Sequence, residues 1–315
     1  MHLLILGYSS IVRRRVLPAA RAVAAFSTIS VASRSHGSTG GEGDVTWYSS
    51  YDDALSSSGA HIVYVSGVNS MHAQWVEAAL ERGCHVVVDK PALPDLSATQ
   101  AMAALARRRR VGLAEATVFA FHPQVRTLKE LIGDIEPAAT RVSAVFSVPP
   151  LPLADFRYRT DCGGGSLADL GPYAVAVSRI VFGGPPATVN CRVLTRSDAP
   201  GVDTSFSVLM TYQSGGAVAG HFGFTTAYQN RLSVLTRSSA VDVDRVFTSA
   251  PDAPGALRVR DAAGERVVKA SAADAFAEFL AAFAGAVDRD VFDEFESSML
   301  ADAALLDRLR QSARE

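Results

Sequence analysis

Three groups of residues in this 315-residue chain have types and spacings suited to chemistry. The first follows an apolar run at the N-terminus, "ILGYSSIVRRR", residues 5–15. In a strand-to-helix phosphate loop, glycines serve the tight turn, close backbone approach to the phosphates and close packing of helix on strand. Gly7 keeps the turn, while Ser9 and Val12 stand where the second and third glycines would be. Ser9 and Ser10 add hydroxyl donors, and the start of the following helix, at Ser10 and Ile11, presents free N–H groups to an anion. The stretch fits a substituted dinucleotide loop or a plain βα unit. The end of the next β-branched run, "VASRS", carries Ser33 and Arg34 with no nearby carboxylate. An NAD site usually places an acid there for the ribose 2′-hydroxyl, so a dinucleotide held here would be NADP(H) rather than NAD(H).

The second group is Lys90 before Pro91, at the end of "HVVVDKP". It reads as a charged group delivered by a strand end or as a turn residue, with the cis bond that tight X–Pro turns favour. The third is Asp169 and Tyr173, four residues apart and therefore on one helix face, directly after the glycines at 163–165. Asp169 also suits the first turn of a helix, where the dipole favours an acid, and Tyr173 also suits a core.

The elements that must position these residues fall into two textures. Up to about residue 120, β-branched runs ("HLLILG", "STISVAS", "VTWYS", "HIVYVSG", "HVVVDKP", "RVGLAEAT") alternate with segments of helical spacing such as "VLPAARAVAA" and "MHAQWVEAALERG". That alternation predicts a parallel sheet covered by helices. A Gly/Ser-rich stretch, residues 35–44, stands where a second helix would be expected and reads as a mobile loop. After "FHPQVRTLKELIGD" come strands separated by turns, with hairpin signals at "YQSGG" and "DAAGE", one helix at "SLADLGPYAVAVSRIVFG", and one or two helices from 274 to 310. The expected architecture is α/β: a parallel-sheet domain over 1–121, then an α+β domain over 122–315 with a large, mainly antiparallel sheet and the C-terminal helices.

Composition excludes several classes. A net charge of -2 gives no global reason to bind nucleic acid or anionic lipid. Cys84, Cys162 and Cys191 are odd in number and widely spaced, against a disulfide framework or a zinc site, and fit a reducing cytoplasm. "MHLLILGYSS" reads as a first strand rather than a signal peptide, and no run approaches the roughly 18 apolar residues of a membrane span. The "RRRR" run at 107–110 follows an alanine-rich helical pattern, where cations complement a helix C-terminus.

Two longer stretches carry a resemblance. "YVSGVNSMHAQWVEAALERGCHVVVDKPA" resembles the fourth strand, helix and fifth strand of the glucose-fructose oxidoreductase/inositol dehydrogenase/MocA family, whose hallmark is Glu-Lys-Pro at the end of that fifth strand. "DFRYRTDCGGGSLADLGPYAVAVSRIVFG" resembles its second signature, a glycine cluster followed by a helix bearing Asp and either Tyr or His. Within the family, "IVRRRVLPA", "FHPQ" (121–124), "FRYRTDCGGG" and "RVFT" (245–248) look most like the nucleotide-sugar 3-ketoreductases of deoxysugar pathways. The likeness runs through nearly the whole chain. The departures are Asp89 for the family's Glu, the two missing loop glycines, and Val68 where Pro commonly precedes Asn69.

The resemblance implies a Rossmann domain holding NAD(P)(H), a second domain whose open sheet mediates a homodimer or homotetramer, and a small-molecule keto-sugar substrate, nucleotide-linked, with no nucleic acid or membrane partner. It implies cofactor contacts from Gly7, Ser9, Ser10, Ile11, Ser33, Arg34, Asn69, His72, Asp89 and Lys90. It implies catalysis by Lys90 and Tyr173 with Asp169 orienting, and substrate contacts from His122, Arg157, Tyr158, Tyr228 and Arg245; no metal is expected. Family members that oxidise cyclitols carry His at the place of Tyr173, with a reference pKa of about 6.5, whereas Tyr, near 10, stays protonated at neutral pH and suits carbonyl reduction. Lys90 is an equally open assignment as the direct proton donor. Two other readings stay open: a sugar or cyclitol dehydrogenase running in the oxidising direction, and a catalytically silent member acting as a binding or regulatory protein.

Overall fold

The six β-branched runs of the N-terminal part form six parallel strands: β1 (His2–Leu6), β2 (Thr28–Ala32), β3 (Thr46–Tyr48), β4 (Ile62–Val65), β5 (His85–Val88) and β6 (Leu113–Glu115). Their order is β3-β2-β1-β4-β5-β6. It reverses between β1 and β4, and in open sheets of this kind ligands bind outside the carboxyl ends of the strands at that switch. The structure, a computed structural model, describes residues 1–34, 43–198 and 201–314; most of the Gly/Ser-rich stretch expected as a loop therefore lies outside the described residues.

The helices of this part are α1 (Leu17–Ala22), α2 (Tyr51–Ser57), α3 (His72–Glu81) and α4 (Leu96–Arg109). A π-helical turn, Val12–Val16, leads into α1, with the Leu17 N–H bonded to the Val12 carbonyl. Pro18 has no N–H and its ring crowds the preceding turn, so the wider turn carries the helix past it. Ser50 and Asp95 cap α2 and α4 through their side chains. One core joins Leu4, Leu6, Val63, Val65, Val86 and Val88 of the sheet to Trp75, Leu80, Ala103 and Leu105 of the helices.

The second sheet has eight strands: β7 (Arg141–Ser147), β8 (Thr188–Arg196), β9 (Asp203–Thr211), β10 (Ala217–Gly223), β11 (Gln229–Leu235), β12 (Ser239–Asp244), β13 (Ala256–Asp261) and β14 (Gly264–Lys269). The order is β14-β13-β12-β11-β7-β10-β9-β8, antiparallel throughout except where β10 runs parallel to β7. The two hairpin turns at "YQSGG" and "DAAGE" are present, joining β9 to β10 and β13 to β14. Strand β12 was not expected: Val241 and Val243 are buried while Asp242, between them, takes Arg231 and Arg260. Helices α5 (Pro123–Ile132) and α6 (Ser166–Phe182) belong here, and Val142, Phe146, Val175, Phe206, Phe222 and Val234 share its core.

Helices α7 (Ala275–Arg289) and α8 (Asp293–Ser312) close the chain. The described chain divides into one unit of residues 1–116 and 276–303 and another of 117–275 and 304–315, so most of these two helices groups with the first sheet rather than with the 122–315 segment. The reason is side-chain contact. Arg15 lies over the Phe276 ring, Phe292 packs on His85, Met299 joins the first core, and Glu296 pairs with Arg107. Arg107 belongs to the "RRRR" run, whose first three residues form the last turn of α4; Arg109 pairs with Glu81. Among the described residues no helix is long and apolar enough to cross a membrane, and no group of three His, Cys, Asp or Glu side chains is placed to hold a metal. All three cysteines are buried and free.

Candidate active site

At the switch point the chain leaves β1 at Gly7, with φ +104°. A Cβ there would fall 1.8 Å from the Ser66 carbonyl oxygen at the end of β4, so only glycine fits. The Gly7 N–H donates to the Ala32 carbonyl at 2.9 Å and the Ser66 N–H to the Leu6 carbonyl at 2.8 Å. Ser9 opens the helix: its carbonyl accepts from the Arg13 N–H at 3.0 Å and its hydroxyl from the Val12 N–H at 3.2 Å. The first-turn N–H groups of Ser10 and Ile11 have no intrahelical acceptor and remain for an anion. A glycine cradle at the strand switch, followed by a helix start, fits the pyrophosphate of a dinucleotide.

Ser9 is also tied inward. Its hydroxyl lies 3.0 Å from that of Ser66, Ser66 donates to Asp89 Oδ2 at 2.6 Å, and the Tyr64 hydroxyl donates to Asp89 Oδ1 at 2.5 Å. Tyr64 is fully buried; burial first, and then Asp89, pushes its pKa well above the usual phenol value, which keeps it a donor.

Past β2, Ser33 is buried and donates its N–H to the Tyr48 carbonyl at 2.9 Å. Arg34 is exposed, its guanidinium 5.7 Å from the Tyr51 ring centroid and its Nη2 3.7 Å from Met71 Sδ. Among the described residues no carboxylate pairs with it.

The Lys90 corner is held from several sides. The Asp89 N–H donates to the Val65 carbonyl at 3.0 Å, the Lys90–Pro91 bond is cis, and the Ala92 N–H donates to Glu115 Oε2 at 2.8 Å. Asn69 opens the 3-10 turn before α3, and His72, its first residue, is buried with Nδ1 2.9 Å from the Pro91 carbonyl oxygen. A carbonyl only accepts, so Nδ1 carries the hydrogen. His72 thus fixes the backbone beside Lys90, whose own side chain is half-buried.

In the second unit the glycine cluster brings two backbones together. A Cβ on Gly164 would lie 2.5 Å from the Arg157 carbonyl oxygen, and Gly165, at φ +113°, passes Asp203, which accepts from the Leu167 N–H and the Ser166 hydroxyl, each at 2.6 Å. Asp169 follows one turn into α6, and Arg157 Nε donates to its Oδ2 at 2.7 Å while Arg157 Nη1 reaches Asp155 at 3.2 Å. Burial works against the Arg157 charge, but Asp169 and Asp155 outweigh it and raise its pKa. Arg157 is therefore paired with both Asp169 and Asp155. Tyr173, partly buried, sits among Phe146, Phe247 and Phe119, with ring centroids 5.0, 5.2 and 5.7 Å away.

Phe247 belongs to the "RVFT" turn, which buried polar groups secure: Gln124 donates to the Val246 carbonyl at 3.0 Å, and Asn230 Oδ1 accepts from the Phe247 N–H at 3.1 Å. In the same turn Arg245, at φ +53°, holds its guanidinium 5.8 Å from the Tyr228 ring, and both are exposed. The structure thus brings Asp169 to Arg157, and places Tyr173 beside the turn that carries Arg245. Tyr158 accepts the Leu151 N–H at 3.2 Å and packs edge-on against Phe224. His122 is buried and its Nδ1 accepts the Gln124 N–H at 3.2 Å, as a cap for α5. Ser66, Tyr64, Glu115, Gln124 and Asn230 were not singled out from the sequence; only Ser66, at the end of the fourth β-branched run, occupied a position that could have marked it.

A parallel sheet ordered 3-2-1-4-5-6 with a glycine turn at its switch defines a Rossmann-type domain of the dinucleotide-binding class. The profile of the oxidoreductase family, NAD-binding Rossmann fold, matches residues 1–117, and that of the GFO/IDH/MocA C-terminal domain matches 126–239. The chain belongs to the glucose-fructose oxidoreductase/inositol dehydrogenase/MocA family of oxidoreductases. It is similar to the dTDP-3,4-didehydro-2,6-dideoxy-alpha-D-glucose 3-reductase of Saccharopolyspora spinosa, 32% identical over 98% of this chain and 96% of that one. It is also similar to the D-xylose 1-dehydrogenase (NADP(+)) 2 of Haloferax volcanii, 31% identical over 90% and 88%. Among solved structures it resembles a variant of KijD10, a 3-ketoreductase from Actinomadura kijaniata in complex with TDP-benzene and NADP, with a TM-score of 0.90, 27% identity and coverage of 99% and 98%.

Proposed function

We propose that the protein is an NADPH-dependent reductase of a keto-sugar, acting at C3 of a dTDP-linked deoxyhexulose. The observation that carries the reading is the full-length likeness to 3-ketoreductases, one of them solved with NADP and a TDP ligand. Arg34, exposed and without a carboxylate partner among the described residues, supports NADP(H), because a 2′-phosphate needs a cation where NAD needs an acid. The N–H groups of Ser10 and Ile11 and the Gly7 turn take the pyrophosphate. When bound, NADPH supplies a hydride to the keto carbon. Tyr173 gives its phenolic proton to the oxygen that becomes the alcohol, and Lys90, positively charged, hydrogen-bonds that oxygen and eases the loss of the phenol proton. Lys90 as direct donor is the other assignment. Arg157 holds Asp169 one turn ahead of Tyr173 and keeps its carboxylate placed. Tyr228 and Arg245, an aromatic face with a cation beside it, suit a nucleotide base and its diphosphate.

The NADP-dependent xylose dehydrogenase among the relatives favours a second reading, oxidation of a free sugar with NADP+. One assay separates the two. Purified protein is given NADPH with the dTDP-keto-sugar, and in parallel NADP+ with a panel of aldoses and cyclitols, while reduced nicotinamide is followed. Consumption of NADPH in the first and no reduction of NADP+ in the second supports the ketoreductase; the reverse overturns it.

A further inference from the structure

Two departures from the family pattern, Ser9 in place of a loop glycine and Asp89 in place of Glu, are separated by 80 positions in the sequence yet meet through one side chain, Ser66. We propose that Ser9, Ser66 and Asp89 form a positioning relay that ties the cofactor loop to the Lys90 corner, so that the serine and the aspartate work as partners.

The direction of each proton follows from the acceptors. Asp89 takes the Ser66 proton on Oδ2 and the Tyr64 proton on Oδ1. Ser66 has one proton and has spent it, so across the 3.0 Å contact its oxygen accepts from Ser9. Ser9 in turn accepts the Val12 N–H. The chain of donors therefore runs from Val12 through Ser9 and Ser66 to Asp89, with Tyr64 closing it from the opposite side. In this arrangement the Ser9 hydroxyl is turned toward β4, and an anion at the helix start meets the Ser10 and Ile11 N–H groups. A Glu at 89 would carry its carboxylate a further methylene, about 1.5 Å, from the backbone, beyond the place where both hydroxyls converge. The other end of the relay matters because Asp89 adjoins Lys90, whose corner is also fastened by His72 and Glu115.

The relay rests on the β1 turn being the cofactor loop. It does not rest on the sugar, and its test contains none, so a wrong substrate would leave the result standing. NADPH affinity is measured by calorimetry for the native protein and for Ser9→Ala, Asp89→Asn and the double variant, with the melting temperature of each taken without cofactor. Each single change is expected to weaken NADPH about fivefold, and the double about as much as either single, because links in one chain do not multiply. Ser9→Thr, which keeps the hydroxyl, is expected to bind within about twofold of native, a rescue that simple packing at position 9 would not give. A double variant weakened by the product of the two singles, singles without effect, or a threonine as weak as alanine overturns the relay. If Asp89→Asn does not fold, Ser66→Ala takes its place in the cycle with the same expectations.

Discussion

Gly7→Ala places a Cβ where the turn after β1 has no room for one. The new Cβ must move the Ser66 carbonyl from 1.8 Å to beyond 3.0 Å, and that carbonyl is backbone at the end of a central strand. Holding alanine at φ +104° costs about 1–3 kcal/mol. Displacing Ser66 also strains the bond from its N–H to Leu6 and the bond from its hydroxyl to Asp89, each worth about 1 kcal/mol. Together these give about 3–5 kcal/mol, or a fall in melting temperature on the order of 6–20 °C for a domain of this size. Differential scanning calorimetry reads the stability and titration with NADPH reads the loop, where binding is expected to be lost. A Gly7→Ala protein that melts within about 2 °C of native and keeps native NADPH affinity would refute the reasoning, because the close approach of β1 and β4 would then be absent in solution.

If Tyr173 is the proton donor proposed above, Tyr173→Phe is expected to lower kcat by at least about 100-fold while NADPH affinity stays within about twofold; loss of both together would make Tyr173 structural. Arg34→Ala is expected to weaken NADPH about 10- to 100-fold and to leave NADH nearly unchanged, as removal of a charge-assisted contact to one phosphate should. Parallel calorimetry with the two cofactors checks this, and equal losses would contradict it. At the other end of the sheet His85 accepts the Gly112 N–H on Nδ1, and burial first, with Asp290 partly opposing it, lowers its pKa below the usual 6.5. A depressed value means that the folded protein resists protonation, so His85 contributes stability above about pH 6.5 that is lost as pH falls through its lowered pKa. Melting temperatures across that window should decline, and less steeply in His85→Asn, which keeps an acceptor for Gly112; an unchanged slope would remove His85 as the cause.

How legible these features were depends on the distance over which each is determined. The six parallel strands were visible because strands buried on both faces demand unbroken β-branched runs, and the Asp169–Tyr173 pair because a helix repeats within four residues. Strand β12 is hard to read along the chain because Asp242 and Asp244 interrupt its valines, and only the fold sets Arg231 and Arg260 of the neighbouring strands beside Asp242. The apolar spacing of α7 and α8 announced covered helices but not which sheet they cover; Phe292 against His85 and Glu296 on Arg107 decide that. The relay was hidden for a similar reason. Ser66 comes beside Asp89 only through the β4–β5 register, which pairs Val65 with Val88, and no spacing along the chain announces it. The pairing of Arg157 with Asp169 was hidden because the two are joined through an irregular turn, where no periodicity applies.

The central claim is hydride delivery from NADPH to C3 of a dTDP-linked keto-sugar, and isotope transfer tests it most directly. The protein would be incubated with NADPH deuterated at C4 of the nicotinamide and with the dTDP-3,4-didehydro-2,6-dideoxyglucose reduced by its relatives, and the product read by NMR. Deuterium at C3 of the sugar, with NADP+ formed in equal amount, is the predicted result. No transfer from either face of the nicotinamide, or deuterium at another carbon, would contradict it.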